Sequence, residues 1–157
     1  MKLTFATLAL GVALAATVTP MSAVQSQAPA GEATAQIRRA TKHYADLILA
    51  MDATGLSAAF APDGEMVVVG QPPVQGRATI REAFESFKDY KVQSEEMTAD
   101  YIARTGTGAR AEGTYKQTVR LPDGKVVSVH GTYVADWIRA ADGSWLIKTL
   151  TTTPQEP

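Results

Sequence analysis

The chain has 157 residues, of which 45% are hydrophobic and 20% charged, so it is long enough for one globular domain with its own core. Its formal net charge is −1 and it contains no run of lysine or arginine, which argues against nucleic acid as a partner. It has no cysteine, and this excludes disulfides, thiol chemistry and lipid attachment through a cysteine.

The N-terminal segment has the pattern of a secretory signal peptide. Lys2 is followed by an apolar run from Leu3 to Val18, which is too short for a membrane span of about 20 residues. We expect cleavage after Ala23, with Ala30 as the alternative site. A secreted protein without disulfides is typical of the bacterial periplasm, so we expect a periplasmic or secreted protein that is free of the membrane after signal removal. The predicted organisation is a signal peptide (1–23), a disordered tether (24–31) and one domain (32–154).

Apolar residues that recur every three or four positions predict a first helix over Glu32 to Ala50. A break that begins at Asp52 predicts a short second helix, Leu56 to Phe60, which stops at Pro62. A third helix is expected to start near Ala78. The residues of the first helix's apolar stripe are Ile37, Ala40, Tyr44, Leu47, Ile48 and Met51.

A short strand of the buried type, Met66 to Val69, is predicted between glycines. From Lys91 onward the hydrophobic pattern alternates, and Asp-Gly pairs separate several of the runs. This indicates an antiparallel meander, and helices followed by a meander are typical of an α+β fold. The predicted strand segments are Lys91 to Arg104, Ala109 to Leu121, Lys125 to Arg139 and Ser144 to Thr153.

Alternation assigns side chains of the meander to two faces. We expect one set to lie on the concave face that the helices cover: Gly113, Tyr115, Gln117, Val119, Val129, Gly131, Tyr133, Ala135 and Trp137. The opposite set, which includes His130, Thr132 and Val134, is expected to form an open outer face. Glu95 and Glu96 are adjacent, so they point to opposite faces and do not form a carboxylate dyad.

The helix, strand, Pro72-Pro73 loop and helix between Ser57 and Phe87 resemble the nuclear transport factor 2-like superfamily. Within it, ketosteroid isomerases and SnoaL-like cyclases are the most similar. The resemblance covers nearly all of Ile37 to Thr153. It implies a cone-shaped α+β nuclear transport factor 2-like fold, with three N-terminal helices packed on a curved antiparallel sheet.

The resemblance also implies a pocket, but not a reaction. The tyrosine that donates to the substrate oxygen in ketosteroid isomerases falls on Tyr44. Their proton-shuttling carboxylate falls on Val68, and the protonated acid of their oxyanion hole falls on Ala135. Valine supplies no base and alanine no donor, so steroid isomerisation by that route is not expected, and the catalytic residues are unknown.

Eight residues are predicted to line the pocket, because the helix stripe and the strand faces direct them to one space. They are Tyr44, Met66, Val68, Tyr115, Gln117, Tyr133, Ala135 and Trp137. For Tyr44, Tyr133 and Trp137 the alternative is a purely structural role in the core.

Neither a cofactor nor a metal is expected. His43 and His130 lie on different predicted elements and lack metal-ligand spacing. No Gly-x-Ser-x-Gly motif is present, and Gly106-Thr107-Gly108 lies in a hairpin and not between a strand and a helix.

Three functions remain open at this point. The chain could bind a small hydrophobic ligand without catalysis, which we favour narrowly. It could be an isomerase, lyase or cyclase acting on a carbonyl or polyketide-like substrate, with Tyr44 as the electrophilic donor. It could also be a structural association module. A carboxylate or histidine that points into the cavity would favour the enzyme, and a cavity filled by side chains would favour the module.

The sequence further predicts a homodimer that buries the open outer face, because such sheet faces are rarely left bare. Replacing Thr132 by arginine places a charge in that interface. We expect Thr132→Arg to convert the dimer into a monomer in sedimentation experiments. A dimer that persists in the variant would place the interface elsewhere.

Overall fold

The apolar stripe of the N-terminal segment forms one long helix. In the computed structural model, which describes residues 30–155, helix α1 spans Ala30–Ala50. The last two residues of the predicted tether are therefore helical, whereas the predicted signal peptide and residues 24–29 lie outside the described residues. The prediction of the stripe is confirmed, since all its members are buried or partly buried: Ile37, Ala40, Tyr44, Leu47, Ile48 and Met51.

The segment after α1 corrects two predicted boundaries. Helix α2 spans Ala53–Ala58, and the Asp52 carboxylate accepts a hydrogen bond from the Gly55 backbone N–H (2.9 Å) as its N-cap. Phe60, predicted as helical, already belongs to strand β1 (Phe60–Val68). The predicted strand from Met66 was too short, because the helical stop at Pro62 was misread: this proline lies inside β1, where the strand's pairing is irregular.

The remaining elements follow the predicted order, except that the short strand β2 lies in the segment that was predicted to be a loop. They are β2 (Val74–Gln75), α3 (Arg77–Glu85), β3 (Lys91–Met97), β4 (Tyr101–Thr105), β5 (Gly108–Arg120), β6 (Val126–Arg139) and β7 (Trp145–Gln155). None of the helices within residues 30–155 has the length and hydropathy of a membrane span.

The strands form one curved sheet in the order β2-β1-β7-β6-β5-β3, and β4 also pairs with β5. The meander of β5, β6 and β7 is antiparallel, as predicted. The expectation of a wholly antiparallel sheet is wrong, because β1 pairs with β7 in parallel. This partner lies some 80 residues further along the chain, and alternation within β1 carries no information about it.

The two Asp-Gly turns act as predicted. Gly124 and Gly143 have positive φ angles of 87° and 85°, a conformation that glycine adopts without strain. Asp123 and Asp142 each accept a hydrogen bond from the backbone N–H two residues later, at 2.9 Å.

The helices cover one face of the sheet, which we call the inner face. Its centre is a core to which every layer contributes, for example Ile37 from α1, Ile80 from α3 and Tyr133 from β6, all at most 2% exposed. Tyr44 packs edge-on against Phe60, with ring centroids 6.0 Å apart. The fold is therefore held by burial of the inner face under α1 and α3.

The long segment predicted from Lys91 to Arg104 is divided by a bend at Thr98–Asp100, and β3 and β4 on either side of it both pair with β5. Arg38 of α1 donates a hydrogen bond to the Ala99 backbone oxygen in this bend. Opposite the bend lies Gly113, where an added Cβ would lie 1.8 Å from the Thr98 backbone oxygen. Only glycine allows the two backbones to approach so closely.

This contact gives a stability prediction. Gly113→Ala should lower the free energy of unfolding by about 1–3 kcal/mol, because the backbone of the bend must shift. Gly31→Ala is the matched control, since a Cβ at Gly31 meets nothing within 4 Å. It should leave the stability unchanged or raise it by up to about 1 kcal/mol. Urea unfolding measures both, and equal values for the two variants would contradict the steric argument.

Candidate functional site

An apolar cavity of about 330 Å³ lies at one end of the inner face, where α1 and α3 end. Its lining residues are Ile48, Met51, Phe84, Phe87, Tyr90, Val92, Gln117, Val119, Leu121, Val127 and Val129. Phe87, which is 48% exposed, stands at its mouth and stacks edge-on with Tyr90 at a centroid distance of 5.2 Å. The polar groups among these side chains are the Gln117 carboxamide and the Tyr90 hydroxyl.

Glu95 lies directly beside this cavity. A register shift between Val92 and Ser94 in β3 turns both Val92 and Glu95 toward the inner face, beside Val119 and Gln117 of β5. The Gln117 side chain donates a hydrogen bond from Nε2 to Oε2 of Glu95, at 2.9 Å. The carboxamide of the cavity wall is therefore bonded to a carboxylate behind it.

Burial raises the pKa of Glu95 from its ordinary value of 4.5 to about 7, although the hydrogen bond from Gln117 opposes the rise. Among the described residues, no lysine, arginine or histidine forms an ion pair with it. A carboxyl group in this state exchanges protons near neutral pH, which is the property required of a general acid or base.

Two tyrosines lie within the electrostatic field of Glu95. Burial raises the pKa of Tyr44 well above the ordinary range, and the negative charge of Glu95 raises it further. The pKa of Tyr115 is raised by the same two causes. Both hydroxyls therefore remain protonated at neutral pH and keep their ability to donate a hydrogen bond.

The structure divides the eight predicted pocket residues among different places. Gln117 lines the apolar cavity, and Tyr44 and Tyr115 lie near Glu95. Tyr133, Ala135 and Trp137 belong to the buried core together with Tyr44, and Met66 packs against that core. Val68 is partly buried and pairs with Thr152 at the far side of the sheet. Their role in ligand binding stays a prediction.

Tyr133 illustrates the surroundings of this core group. Burial raises its pKa to about 12, and the Thr41 hydroxyl, which faces it from α1, opposes the rise. The tyrosine thus packs against the middle of α1 and not against the cavity.

A second, more polar cavity of about 420 Å³ opens at the edge of the outer face. Tyr115 reaches it beside Gly131, where an added Cβ would lie 2.9 Å from the tyrosine hydroxyl. His130 lies in its wall. Within residues 30–155 no cluster of His, Cys, Asp and Glu side chains has the makings of a metal site.

Glu95 is the residue that the sequence interpretation missed. Glu95 and Glu96 were correctly predicted to point to opposite faces of the sheet. Which of the two points to the inner face was not predicted. Counting back by twos from Met97, which packs against the core, places Glu95 on the inner face. This signal was present in the sequence.

Comparison with known proteins agrees with the geometry of the fold. The family model described as SnoaL-like domain matches residues 30–151. No curated protein gives a significant match.

Solved structures give the same fold at low identity. A ketosteroid isomerase-like protein from Erwinia carotovora atroseptica is 19% identical with a TM-score of 0.71, covering 78% of this chain and 96% of its own. An NTF2-like protein with a cystatin-like fold from Novosphingobium aromaticivorans is 21% identical with a TM-score of 0.67, covering 78% and 81%. A Catenulispora acidiphila protein in complex with S-DNPA is 16% identical with a TM-score of 0.68, covering 79% and 94%.

The pKa of Glu95 predicts that stability falls as the pH rises. Because burial favours the protonated carboxyl, the native state keeps a proton that the unfolded chain has released between pH 4.5 and about 7. Ionisation of Glu95 therefore does not lower the free energy of unfolding below this pH range, and it lowers it by the full amount above the range. Between about pH 5 and about pH 8 we expect the free energy of unfolding of the unmodified protein to fall by about 1–2 kcal/mol, after allowance for solvent screening. The Glu95→Gln variant should not show this fall.

Urea unfolding of both proteins at the two pH values measures this difference. Glu96→Gln is the matched control, because the neighbouring Glu96 side chain is exposed on the outer face. It should keep the pH dependence of the unmodified protein. An identical pH dependence in Glu95→Gln would contradict the burial of an ionisable carboxyl.

Proposed function

We propose that this chain, which belongs to the SnoaL-like domain family, binds a small hydrophobic molecule in the apolar cavity. The observation that carries the proposal is the lining of that cavity, in which valine, leucine, isoleucine, methionine and aromatic side chains surround a single carboxamide. Small-molecule sites typically combine apolar walls with a few polar groups that fix orientation.

The size of the cavity limits the ligand. A volume of about 330 Å³ lies near the lower end of the range for small-molecule pockets. It suits a compact skeleton of one or two rings. The half-exposed Phe87 leaves an entrance through which such a molecule can pass.

The proposal includes the setting of the protein. Export to the periplasm or beyond is supported by the signal-peptide pattern of residues 1–23. A cone-shaped domain, open at the apolar cavity, is supported by the position of that cavity where α1 and α3 end. A homodimer through the outer face is supported by the partial exposure of His130 and Val134 and by the exposure of Thr132.

The second candidate is an isomerase, lyase or cyclase acting on a carbonyl or polyketide-like substrate. Glu95 favours it, because a carboxylate with a pKa near 7 is suited to remove a proton from a carbon next to a carbonyl group. Tyr44 keeps its proton and is the donor proposed for the oxygen of the resulting enolate. By the resemblance to ketosteroid isomerases, Val68 and Ala135 fall where those enzymes carry acids, so this proposal relies on Glu95 as the base.

Filling the cavity tests the binding function. Val129→Phe adds a ring to the wall of the apolar cavity, and Ser128→Phe adds the same ring to an exposed position next to it in β6. We expect 2-methylnaphthalene to bind the Val129→Phe variant at least about tenfold more weakly in calorimetry. Ser128→Phe should bind like the unmodified protein. Circular dichroism checks that both variants are folded, and equal binding by the two would refute this location.

Proton exchange tests the catalytic function. The protein is incubated in D₂O with a panel of cyclic and aromatic ketones, and loss of the proton next to the carbonyl is followed by NMR. If Glu95 is the base, Glu95→Gln should slow the exchange by about a hundredfold or more. Glu96→Gln serves as the control, and exchange that Glu95→Gln leaves unchanged would remove Glu95 from the reaction.

A further inference from the structure

The orientation of the Gln117 carboxamide is fixed by chemistry. An ionised carboxylate can only accept hydrogen bonds, so the group of Gln117 that faces it must be the NH₂ group. The observed bond from Nε2 of Gln117 to Oε2 of Glu95 meets this requirement. The carbonyl oxygen of the amide must then point away from the carboxylate.

That carbonyl oxygen is available to a ligand. Among the described residues no hydrogen bond to Oε1 of Gln117 is formed, and the bond to Glu95 is the one that its side chain makes. Gln117 also lines the apolar cavity, and among the described residues no other side chain in that lining carries an amide or a charge. Gln117 is partly buried and its carbonyl oxygen is open at the cavity, so a ligand hydroxyl or N–H can bond to it in place of water.

We propose that Glu95 is a positioning residue that turns the oxygen of the Gln117 carboxamide toward the apolar cavity, and that the site therefore selects compact hydrophobic ligands carrying a hydroxyl or N–H donor. This inference deepens the proposed binding function and rests on it. The Gln117 oxygen bonds to the ligand and selects it, whereas Glu95 affects this selection by orienting the Gln117 carboxamide.

Protonation of Glu95 reverses the orientation of the Gln117 carboxamide. A neutral carboxyl donates through its O–H, and the carboxamide then turns its oxygen toward Glu95 and its NH₂ group toward the cavity. The titratable groups that face Glu95 from neighbouring elements are Tyr44 of α1 and Tyr115 of β5, and both stay neutral in this range because burial and Glu95 raise their pKa values. The preference for a donor is therefore present above about pH 7 and lost below it.

The test compares 2-naphthol with 2-methylnaphthalene, which differ by a hydroxyl against a methyl group of similar size. We expect the unmodified protein to bind 2-naphthol about three- to tenfold more tightly at about pH 8, the usual effect of one hydrogen bond. At about pH 5.5 the ratio of the two affinities should fall to about one. Calorimetric titrations at both pH values give this ratio.

Three variants separate positioning from structure. Gln117→Leu should bind both ligands equally at both pH values, and Glu95→Gln should show a ratio that does not change with pH. Glu96→Gln should reproduce the unmodified protein. A Glu95→Gln variant that keeps the pH-dependent ratio would overturn the inference.

Binding of the two ligands by the unmodified protein gives the remaining outcomes of the test. Equal binding of both ligands at about pH 8 would overturn the selection but leave the binding function intact. A protein that binds neither ligand would overturn the binding function, and the selection with it.

Discussion

Burial of the inner sheet face under α1 is the constraint on which the rest of the structure depends. Ile37 and Tyr44 of α1 meet Phe60 of β1 and Tyr133 of β6 in one core, and these residues come from distant parts of the chain. Burying each such side chain contributes about 1.5–3 kcal/mol, more than any surface ion pair of this domain can supply. The register of every strand follows, because a shift by one residue would turn its apolar set to solvent.

The same constraint explains how a carboxylate enters the interior. Strand β3 does not alternate regularly along its whole length, because its register shifts after Val92. Two residues that both face inward are therefore separated by three positions instead of two. One is Val92, which suits the apolar cavity, and the other is Glu95. Since no cation pairs with Glu95 among the described residues, its burial opposes ionisation and destabilises the native state at high pH. Such a cost at a single polar position is typical of functional sites.

Much of the fold could be predicted from residues that interact locally. The stripe of α1 and the Asp-Gly turns depend on spacings of two to four residues, and both predictions are confirmed. The parallel pairing of β1 with β7 could not be predicted, because it depends on which distant strand completes the sheet. The site shows the same limit: Gln117 was assigned to the inner face by alternation, whereas its bond to Glu95 depends on which residue of β3 lies opposite it in the sheet.

The apolar cavity lies where α1 ends on strands that are longer than the helix. Strands β5 and β6 have 13 and 14 residues and extend for more than 40 Å at about 3.3 Å per residue. Helix α1 has 21 residues and extends for only about 31 Å at 1.5 Å per residue. Inner-facing side chains near the ends of these strands, such as Val119 and Val129, line the cavity together with Ile48, close to the end of α1 at Ala50. Tyr133 and Trp137 lie in the core that α1 covers, whereas Gln117 lies in the wall of the cavity.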